Sequence, residues 1–446
     1  MSSSDLAPTP GTTCPVERID ITCPVEKIAG LADAFATLRS KDVLHSAAIW
    51  SAAHRDPTPE ALTCLREYTD NVITFANGES HRGRRRLLNQ LVRPEAIDVI
   101  RDTIVLPRSR ELLQRLATGP DAEGRYRFDL VTFCERVFLH FSAKFIGFVG
   151  TETDEQMERL RGCVGPLSGA VASAFYKDRA GILAAAAEAK ARYIEEFYLP
   201  SLAAARAALA DRPADESGAV EPPRNFMEIV ASGVHAEWDD EALAIRDSVL
   251  LFSASVGSST QTIVNAVAGL TTWFAEHPED YEQSTDYNFL LDAIQEALRL
   301  NSPFSPYVTR VAAREAVVGE HTLAEGQEIH VYLPTAGQDP SVWGPDAAAF
   351  NPRRPTPEGW NRHGIAFSAG PHQCLGQRVV LGSDGTGGAH VRVLQTLYRA
   401  GVQPDPDSPP KSIERVVREQ PDPFEVDLKR WTSYPVVLDD LDPTDS

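Results

Sequence analysis

Phe367-Ser368-Ala369-Gly370-Pro371-His372-Gln373-Cys374-Leu375-Gly376 decides how the rest of the chain is read. One cysteine stands in a tight loop bracketed by glycines, and the apolar run Val379 to Leu381 follows it. Glycine lets a backbone approach its neighbour closely and adopt angles closed to other residues. A sulfur toward which the amides of a starting helix point is stabilised as thiolate, the form that binds a soft metal. The competing reading is a buried structural cysteine in a turn, since free cysteine is commonly buried.

The decapeptide resembles the haem-binding loop of the cytochrome P450 family, Phe-Gly-x-Gly-x-His-x-Cys-Leu-Gly. Phe367, Gly370, His372, Cys374, Leu375 and Gly376 match that pattern, and Ser368 replaces its first glycine. The resemblance implies haem b (iron protoporphyrin IX) with Cys374 as the metal ligand. Phe367 would pack beside the sulfur, Gly370 and Gly376 would shape the loop, and His372 would meet a propionate. A cysteine axial ligand pushes electron density toward breaking an O–O bond.

Upstream, Asp240 to about His277 reads as one long helix with Asp239 or Asp240 as its cap. Its middle, Ser253-Ala-Ser-Val-Gly257-Ser-Ser-Thr260-Gln-Thr262, is small and hydroxyl-rich. Small residues there admit a flat cofactor or substrate, or equally a closely packed neighbouring helix. Val256-Gly257-Ser258-Ser259-Thr260 resembles the family's oxygen-binding motif, Ala/Gly-Gly-x-Asp/Glu-Thr. Gly257 and Thr260 are kept, and Ser259 stands where the acid belongs. The resemblance makes Gly257, Ser259 and Thr260 the catalytic candidates, but a serine hydroxyl does not titrate near neutrality and can only hold water.

Glu296-Ala-Leu-Arg299 lies on a helix expected over Asn288 to Leu300, where a spacing of three sets carboxylate beside guanidinium. A surface ion pair is the common explanation for such spacing. Here it resembles the family's structural Glu-x-x-Arg, with Arg353 or Arg354 as third member and Ala349 where arginine is frequent. Arg310, on β-type residues after the Pro303–Pro306 turn, resembles the arginine that reaches a haem propionate. Short strands are expected near Ala316 to Val318, His321 to Leu323 and Ile329 to Leu333. Gly382-Ser-Asp-Gly-Thr-Gly-Gly388 should break the helix after Cys374. Tyr434-Pro-Val-Val437 reads as a closing hairpin near the substrate.

Toward the N-terminus, Cys14-Pro-Val-Glu and Cys23-Pro-Val-Glu form a near-repeat with no histidine close by, read as an extended arm over residues 1–28. Leu31, Phe35, Leu38 and Val43 give helical spacing over Ala29 to Ser46, so the family's N-terminal lobe looks shortened. Asp56-Pro-Thr-Pro59 breaks the chain before a helical stretch to about Val72. His81 and Arg85, four apart, share one helix face. They match the family's His-x-x-x-Arg, which holds propionates; a solvated basic face is the alternative. Arg82, Arg84 and Arg86 read as surface residues that suit an acidic electron donor. Residues 94–209 are expected to be mostly helical, with Pro200 dividing the Ala-rich stretch.

The composition, 43% hydrophobic and 24% charged, is that of a globular protein. A net charge of −20 disfavours nucleic acid and anionic membrane as partners. The six widely spread cysteines form no zinc-type pairs. No apolar run reaches membrane-spanning length and no secretory plan opens the chain, so a cytoplasmic monomer is expected. The expectation is thus a mainly α-helical P450 haem domain over residues 29–446, with small accessory sheets. The resemblance implies an oxidoreductase activating dioxygen to functionalise a small organic or natural-product molecule of secondary metabolism, with electrons from a separate ferredoxin or flavodoxin. Two further readings remain: coupling, ring closure or peroxide-driven chemistry at the same haem, and a haem-binding protein without turnover.

Overall fold

The computed structural model describes residues 25–45, 65–171, 179–213, 221–303, 307–383, 385–417 and 426–442. Most of it is helical, and the strands form small separate sheets, the mainly α plan expected. The chain divides into two compact units, residues 1–23, 46–84 and 143–253 in one and 24–45, 85–142 and 254–446 in the other. Both Cys-Pro dipeptides, the Asp56–Pro59 break and Cys64 fall outside the described residues.

In the first unit, Asp154–Val171 and Arg179–Tyr193 are helices, and Leu199–Ala210 follows through the wide turn Ile194–Tyr198. Pro200 follows that wide turn, whose residues stay helical; its missing N–H falls where the regular α pattern is interrupted, so the Ala-rich stretch is divided by a wide turn and not by a break in the helix. Arg84 departs from expectation. Its side chain is buried completely and its Nη1 donates to the equally buried Asp247 Oδ2 at 2.8 Å. The backbone N–H of Ile73 and the indole of Trp238 donate to the same carboxylate at 2.7 and 2.8 Å. Burial pushes the Asp247 carboxyl up, and Arg84 with these two donors pulls it back. Basic composition gave no sign of this pairing because Asp247 lies far along the sequence.

In the second unit, a four-stranded sheet runs Glu26–Ile28, Glu328–Tyr332, Tyr307–Ala312, Val43–His45; the first pair is parallel and the others antiparallel. The helix Leu31–Arg39 ends at Ser40, whose backbone is extended, so Val43 belongs to a strand and not to the helix expected through Ser46. The last three residues of the expected arm are likewise strand. Ile28, Leu31, Leu38, Val43, Ile329, Val331, Trp343, Ile365 and Ala369 pack into one core. That core fastens the cysteine loop, through Ala369, to the sheet and the helix Leu31–Arg39.

Pro435–Leu438 pairs with Tyr126–Asp129 and Gln403–Pro404. It closes no hairpin of its own; the C-terminal hairpin is Lys411–Val417 with Val426–Ser433. Tyr126–Asp129 is also a strand inside the stretch expected to be helical. After the cysteine loop, Gln377–Leu381 is a short helix, broken as expected by a small hairpin of Gly382–Ser383 and Thr386–Gly387 before the helix Ala389–Arg399. Gly382 has φ +85°, and a Cβ there would strike the Thr386 carbonyl. No other residue fits that turn. The longest helix, Glu241–Glu276, runs 36 residues, and the Asp240 carboxylate accepts from the Ala242 N–H at 3.0 Å.

Candidate active site

The cysteine loop is closed by the Cys374 N–H donating to the Phe367 carbonyl at 2.8 Å and the Gln373 N–H to Gly370 at 3.1 Å. Gly370 has φ +71°, and a Cβ on it would lie 2.6 Å from the Leu38 carbonyl, so its close approach to the helix Leu31–Arg39 demands glycine. Ser368 also adopts a left-handed φ of 61°. The family pattern carries glycine there, and this chain carries the strain of a side chain instead. Phe367 is buried with its ring edge-on to His363 at 5.0 Å.

Cys374 is held by its own loop yet remains exposed. Although its surface is open, the protein packed around it desolvates the thiol and raises it, while the N–H groups of Gly376 and Gln377 and the Arg85 guanidinium hold it down. Gly376 thus contributes an amide; a Cβ there would sit 3.7 Å from the sulfur, in ordinary contact. Arg85 donates to the Gln373 carbonyl at 2.6 Å and to Asn89 Oδ1 at 3.0 Å. Its side chain therefore braces the residue next to the cysteine. Among the described residues no group of three or more His, Cys, Asp or Glu is arranged to hold a metal ion.

Two residues before the sulfur, the ring of His372 lies 4.7 Å from that of His45. His45 is the register partner of Arg310 across two antiparallel strands, so both side chains share one face of the sheet. Arg310 is buried, and its described hydrogen bond is Nη1 to the Thr309 carbonyl at 2.8 Å. Burial alone drives its guanidinium down to about 9, and no carboxylate opposes the shift. A desolvated cation without an anion is costly. His372, two residues before the sulfur, thus meets His45, the strand partner of Arg310, and so links the cysteine loop to the strand that carries a buried cation opposed by no carboxylate.

Glu296 and Arg299 are fully buried and joined by two bonds, Nε to Oε2 at 2.8 Å and Nη2 to Oε1 at 2.6 Å. Arg299 Nη1 also donates to the Gly337 and Ala347 carbonyls at 2.6 Å each. Arg354 is the third member, its Nε 3.1 Å from Glu296 Oε1; Arg353 pairs with Asp280 instead. Ala349 takes part through its carbonyl, which accepts from Arg354 Nη2 at 3.1 Å.

On the long helix the hydroxyls divide by role. Ser255 bonds Ser142 of another helix at 2.5 Å, and Ser253 bonds Ser168. Ser258 and Thr262 donate back to the carbonyls four residues earlier, at 2.5 and 2.8 Å. These four hydroxyls serve packing and the helix itself. Ser259 and Thr260 are buried, and the Thr260 hydroxyl has no hydrogen-bond partner. What faces Gly257 is a side chain, Arg430, with Nη2 3.4 Å from where a Cβ would stand.

The sequence profile described as Cytochrome P450 matches residues 270–380, which include the Glu-x-x-Arg pair and the cysteine loop. A putative cytochrome P450 126 of Mycobacterium tuberculosis is 30% identical over 157 residues, 35% of this chain and 36% of that protein. Mycinamicin VIII C21 methyl hydroxylase of Micromonospora griseorubida is 32% identical over 136 residues, 30% of this chain and 32% of the other. The aligned stretch thus spans about a third of the length of these curated relatives. Among solved structures, the cytochrome P450 enzyme CxnD for C–S bond formation in chuangxinmycin biosynthesis superposes with a TM-score of 0.66 at 16% identity, covering 95% of this chain and 91% of that one. CYP164A2 of Mycobacterium smegmatis does so at 0.63 and 17%, covering 92% and 90%. Residues 270–380 thus resemble the cytochrome P450 family, and the chain as a whole shares the P450 fold.

Phe367, Gly370, His372, Cys374, Gly376, Arg85 and Arg310 all belong to the second unit, as do Glu296, Arg299, Gly257, Ser259 and Thr260. His81 is buried in the first unit, on the helix Gly78–Leu88 that also carries Arg85. Sequence reasoning missed His45 and Arg430. His45 sat in a segment taken for helix, and only the strand register places it beside Arg310. Arg430 sits on the C-terminal hairpin, where charge and alternation resemble any exposed strand. Haem is the cofactor of the P450 family, and an accessible, cradled thiol with a buried guanidinium opposed by no carboxylate fits a group that presents iron at its centre and carboxylates at its edge. Among the described residues no helix is long and apolar enough to cross a membrane.

Proposed function

We propose that this chain is a haem-thiolate monooxygenase using haem b, dioxygen and an external ferredoxin or flavodoxin to oxidise a small organic or natural-product molecule in the cytoplasm. One observation carries the reading: a cradled, accessible thiol and a buried guanidinium lacking a carboxylate are linked through the contact of His372 with His45, the strand partner of Arg310. Haem supplies reductive dioxygen activation when bound. Cys374 would ligate its iron, the Gly376 and Gln377 amides stabilising the sulfur's negative charge. Arg310, with His372 and His45 beside it, would neutralise a propionate, and His81 and Arg85 are the candidates for the other. Thr260, its hydroxyl left open, would hold a water on the long helix, with Ser259 as a second hydroxyl. Exposed Arg82 and Arg86 would meet an acidic donor protein.

Turnover with a ferredoxin and its reductase under labelled dioxygen tests this. One labelled oxygen atom in the product is the expected result; haem-loaded protein that consumes no oxygen with any bound organic compound would overturn it.

Ser259 at the acid position favours a second reading, oxidative coupling or ring closure without oxygen insertion. Proton delivery then rests on hydroxyls and water, which do not titrate near neutrality. Oxygen consumption with an unlabelled coupled or cyclised product would select it. If Ser259→Asp changes neither product nor coupling efficiency, the missing acid is not what sets the chemistry.

A further inference from the structure

His363 is a buried, titratable side chain packed against the cysteine loop. Both of its neighbours in the chain are fixed. Arg362 Nε pairs with Asp292 Oδ1 at 3.0 Å, and Gly364 lies so close to the core that a Cβ on it would touch Gly337, Trp343 and Arg299. The ring therefore leaves a rigid stretch of backbone. It stands edge-on to Phe367 at 5.0 Å, and its Nε2 lies 3.2 Å from Gln377 Nε2. An amide N–H₂ can only donate, so the histidine Nε2 accepts and the imidazole proton sits on Nδ1. Burial pushes His363 down to about 4, against the pull of its own backbone and that of Gly364. Its Nε2 is thus an acceptor throughout the neutral range.

Gln377 is the residue through which that acceptor acts. Its Oε1 takes a hydrogen bond from Gln373 Nε2 at 2.5 Å, so the glutamines on either side of Cys374 are tied to each other. The Gln373 carbonyl in turn accepts from Arg85 at 2.6 Å. The backbone N–H of Gln377 is one of the two amides that hold the Cys374 thiol down. It opens a helix of only five residues, Gln377–Leu381, and so short a helix has little stability of its own. His363 thus meets both ends of the loop: Phe367, whose carbonyl accepts the Cys374 N–H at 2.8 Å, and Gln377, whose amide points at the sulfur. The side-chain bond from Gln377 to His363 fixes the direction of that amide.

We propose that His363 is a positioning residue for the Cys374 thiolate: by holding Gln377 it aims the amide that stabilises the sulfur, and so sets how strongly that sulfur donates to iron. This rests on the haem-thiolate reading, because only a metal-bound sulfur has a potential to set. An N–H···S bond draws charge from the sulfur. Loosening it leaves a more basic and more strongly donating thiolate, from which ferric iron gains more than ferrous iron. Both consequences have one sign: the thiol rises and the potential falls.

Two measurements read this, one of them without haem. In the haem-free chain, iodoacetamide alkylation of Cys374 is followed against pH by peptide mass spectrometry, which separates it from the other cysteines. For His363→Leu the thiolate fraction at pH 7 should fall about 3- to 10-fold, part of the worth of a hydrogen bond to a charged group. In the haem-loaded protein the ferric/ferrous potential should fall by up to about 60 mV, the same factor for one electron. His363→Gln, whose Oε1 offers an acceptor near the place of Nε2, should restore both values. Gln377→Leu should reproduce His363→Leu, and the double variant should shift neither value further, since both changes remove one bond. General destabilisation gives neither the rescue nor the non-additivity. A His363→Leu variant that leaves alkylation or the thiolate-haem potential unchanged, equal shifts in His363→Gln and His363→Leu, or additive shifts in the double variant would each overturn the proposal. Alkylation that shifts in a protein whose haem lacks thiolate ligation would uphold the role of His363 and refute the haem reading alone.

Discussion

Replacing Glu296 by Gln removes one charge from a site that holds two guanidinium groups away from water. Glu296 Oε1 accepts from Arg299 Nη2 at 2.6 Å, and from Arg354 Nε and the Asn351 N–H at 3.1 Å each; Oε2 accepts from Arg299 Nε at 2.8 Å. An amide keeps one acceptor but turns an N–H₂ toward a guanidinium N–H, so at least one strong bond becomes a clash of donors. Arg354 retains Asp346 at 2.9 Å, but Arg299 is left with carbonyl oxygens and the face of Trp343, 4.9 Å from its centre. Breaking a buried pair costs about 3–5 kcal/mol. The cation–π contact and the charge-assisted bonds to Gly337 and Ala347 are present before and after and cancel, and the acceptor that the amide keeps puts the loss at the low end of that range. The expected loss is about 3 kcal/mol, read from urea unfolding followed by circular dichroism with the slope unchanged. Urea is the right denaturant because it leaves ionic interactions unscreened. A loss under about 1 kcal/mol at equal slope would refute the reasoning, since it would mean that Arg299 is hydrated or otherwise compensated.

Other expectations follow from the same geometry. Ser368→Gly relieves a left-handed backbone and deletes a buried hydroxyl with no partner; a gain of about 1 kcal/mol is expected in urea unfolding, and a loss would show that Ser368 is not strained. Arg310→Met should stabilise the haem-free chain while speeding haem loss to a scavenging globin, because the guanidinium is a burden without an anion and an anchor with one; slower haem loss would contradict the assignment. His390 is buried against Phe138, ring centres 4.4 Å apart, and burial pushes it down to about 3 from 6.5. The unfolded chain therefore takes up the proton first as pH falls below about 6.5. His390 then costs about 2 kcal/mol of stability by about pH 5 and more toward pH 3. Unfolding of His390→Phe followed against pH should lack that component; an unchanged acid profile would mean that the native ring titrates freely.

Much of the fold was legible because its signals are local. The long helix, the Pro200 division, the short strands from Ala316 to Tyr332 and the glycine break after Cys374 each follow from periodicity or turn chemistry within a few residues. The cysteine loop was legible for the same reason, its residues being contiguous. What failed to appear in the sequence depends on partners far along the chain. Arg84 reads as one more basic surface residue until Asp247 is brought to it. Val43 continues a helical spacing until Ser40 turns extended and the strand Tyr307–Ala312 offers a ladder of hydrogen bonds. The hydroxyl stretch 253–262 shows the limit most clearly, since composition cannot separate Ser255, bonded across to Ser142, from Thr260, bonded to nothing.

The central claim is that the Cys374 thiolate ligates haem iron in the site that ends at Arg310. The most direct measurement is the carbon monoxide difference spectrum of the reduced, haem-loaded protein, beside Cys374→Ser. The account predicts the strongly red-shifted Soret band of thiolate-ligated ferrous haem in the first and its loss in the second. A wild-type spectrum typical of histidine ligation, or the same band in both proteins, would contradict it.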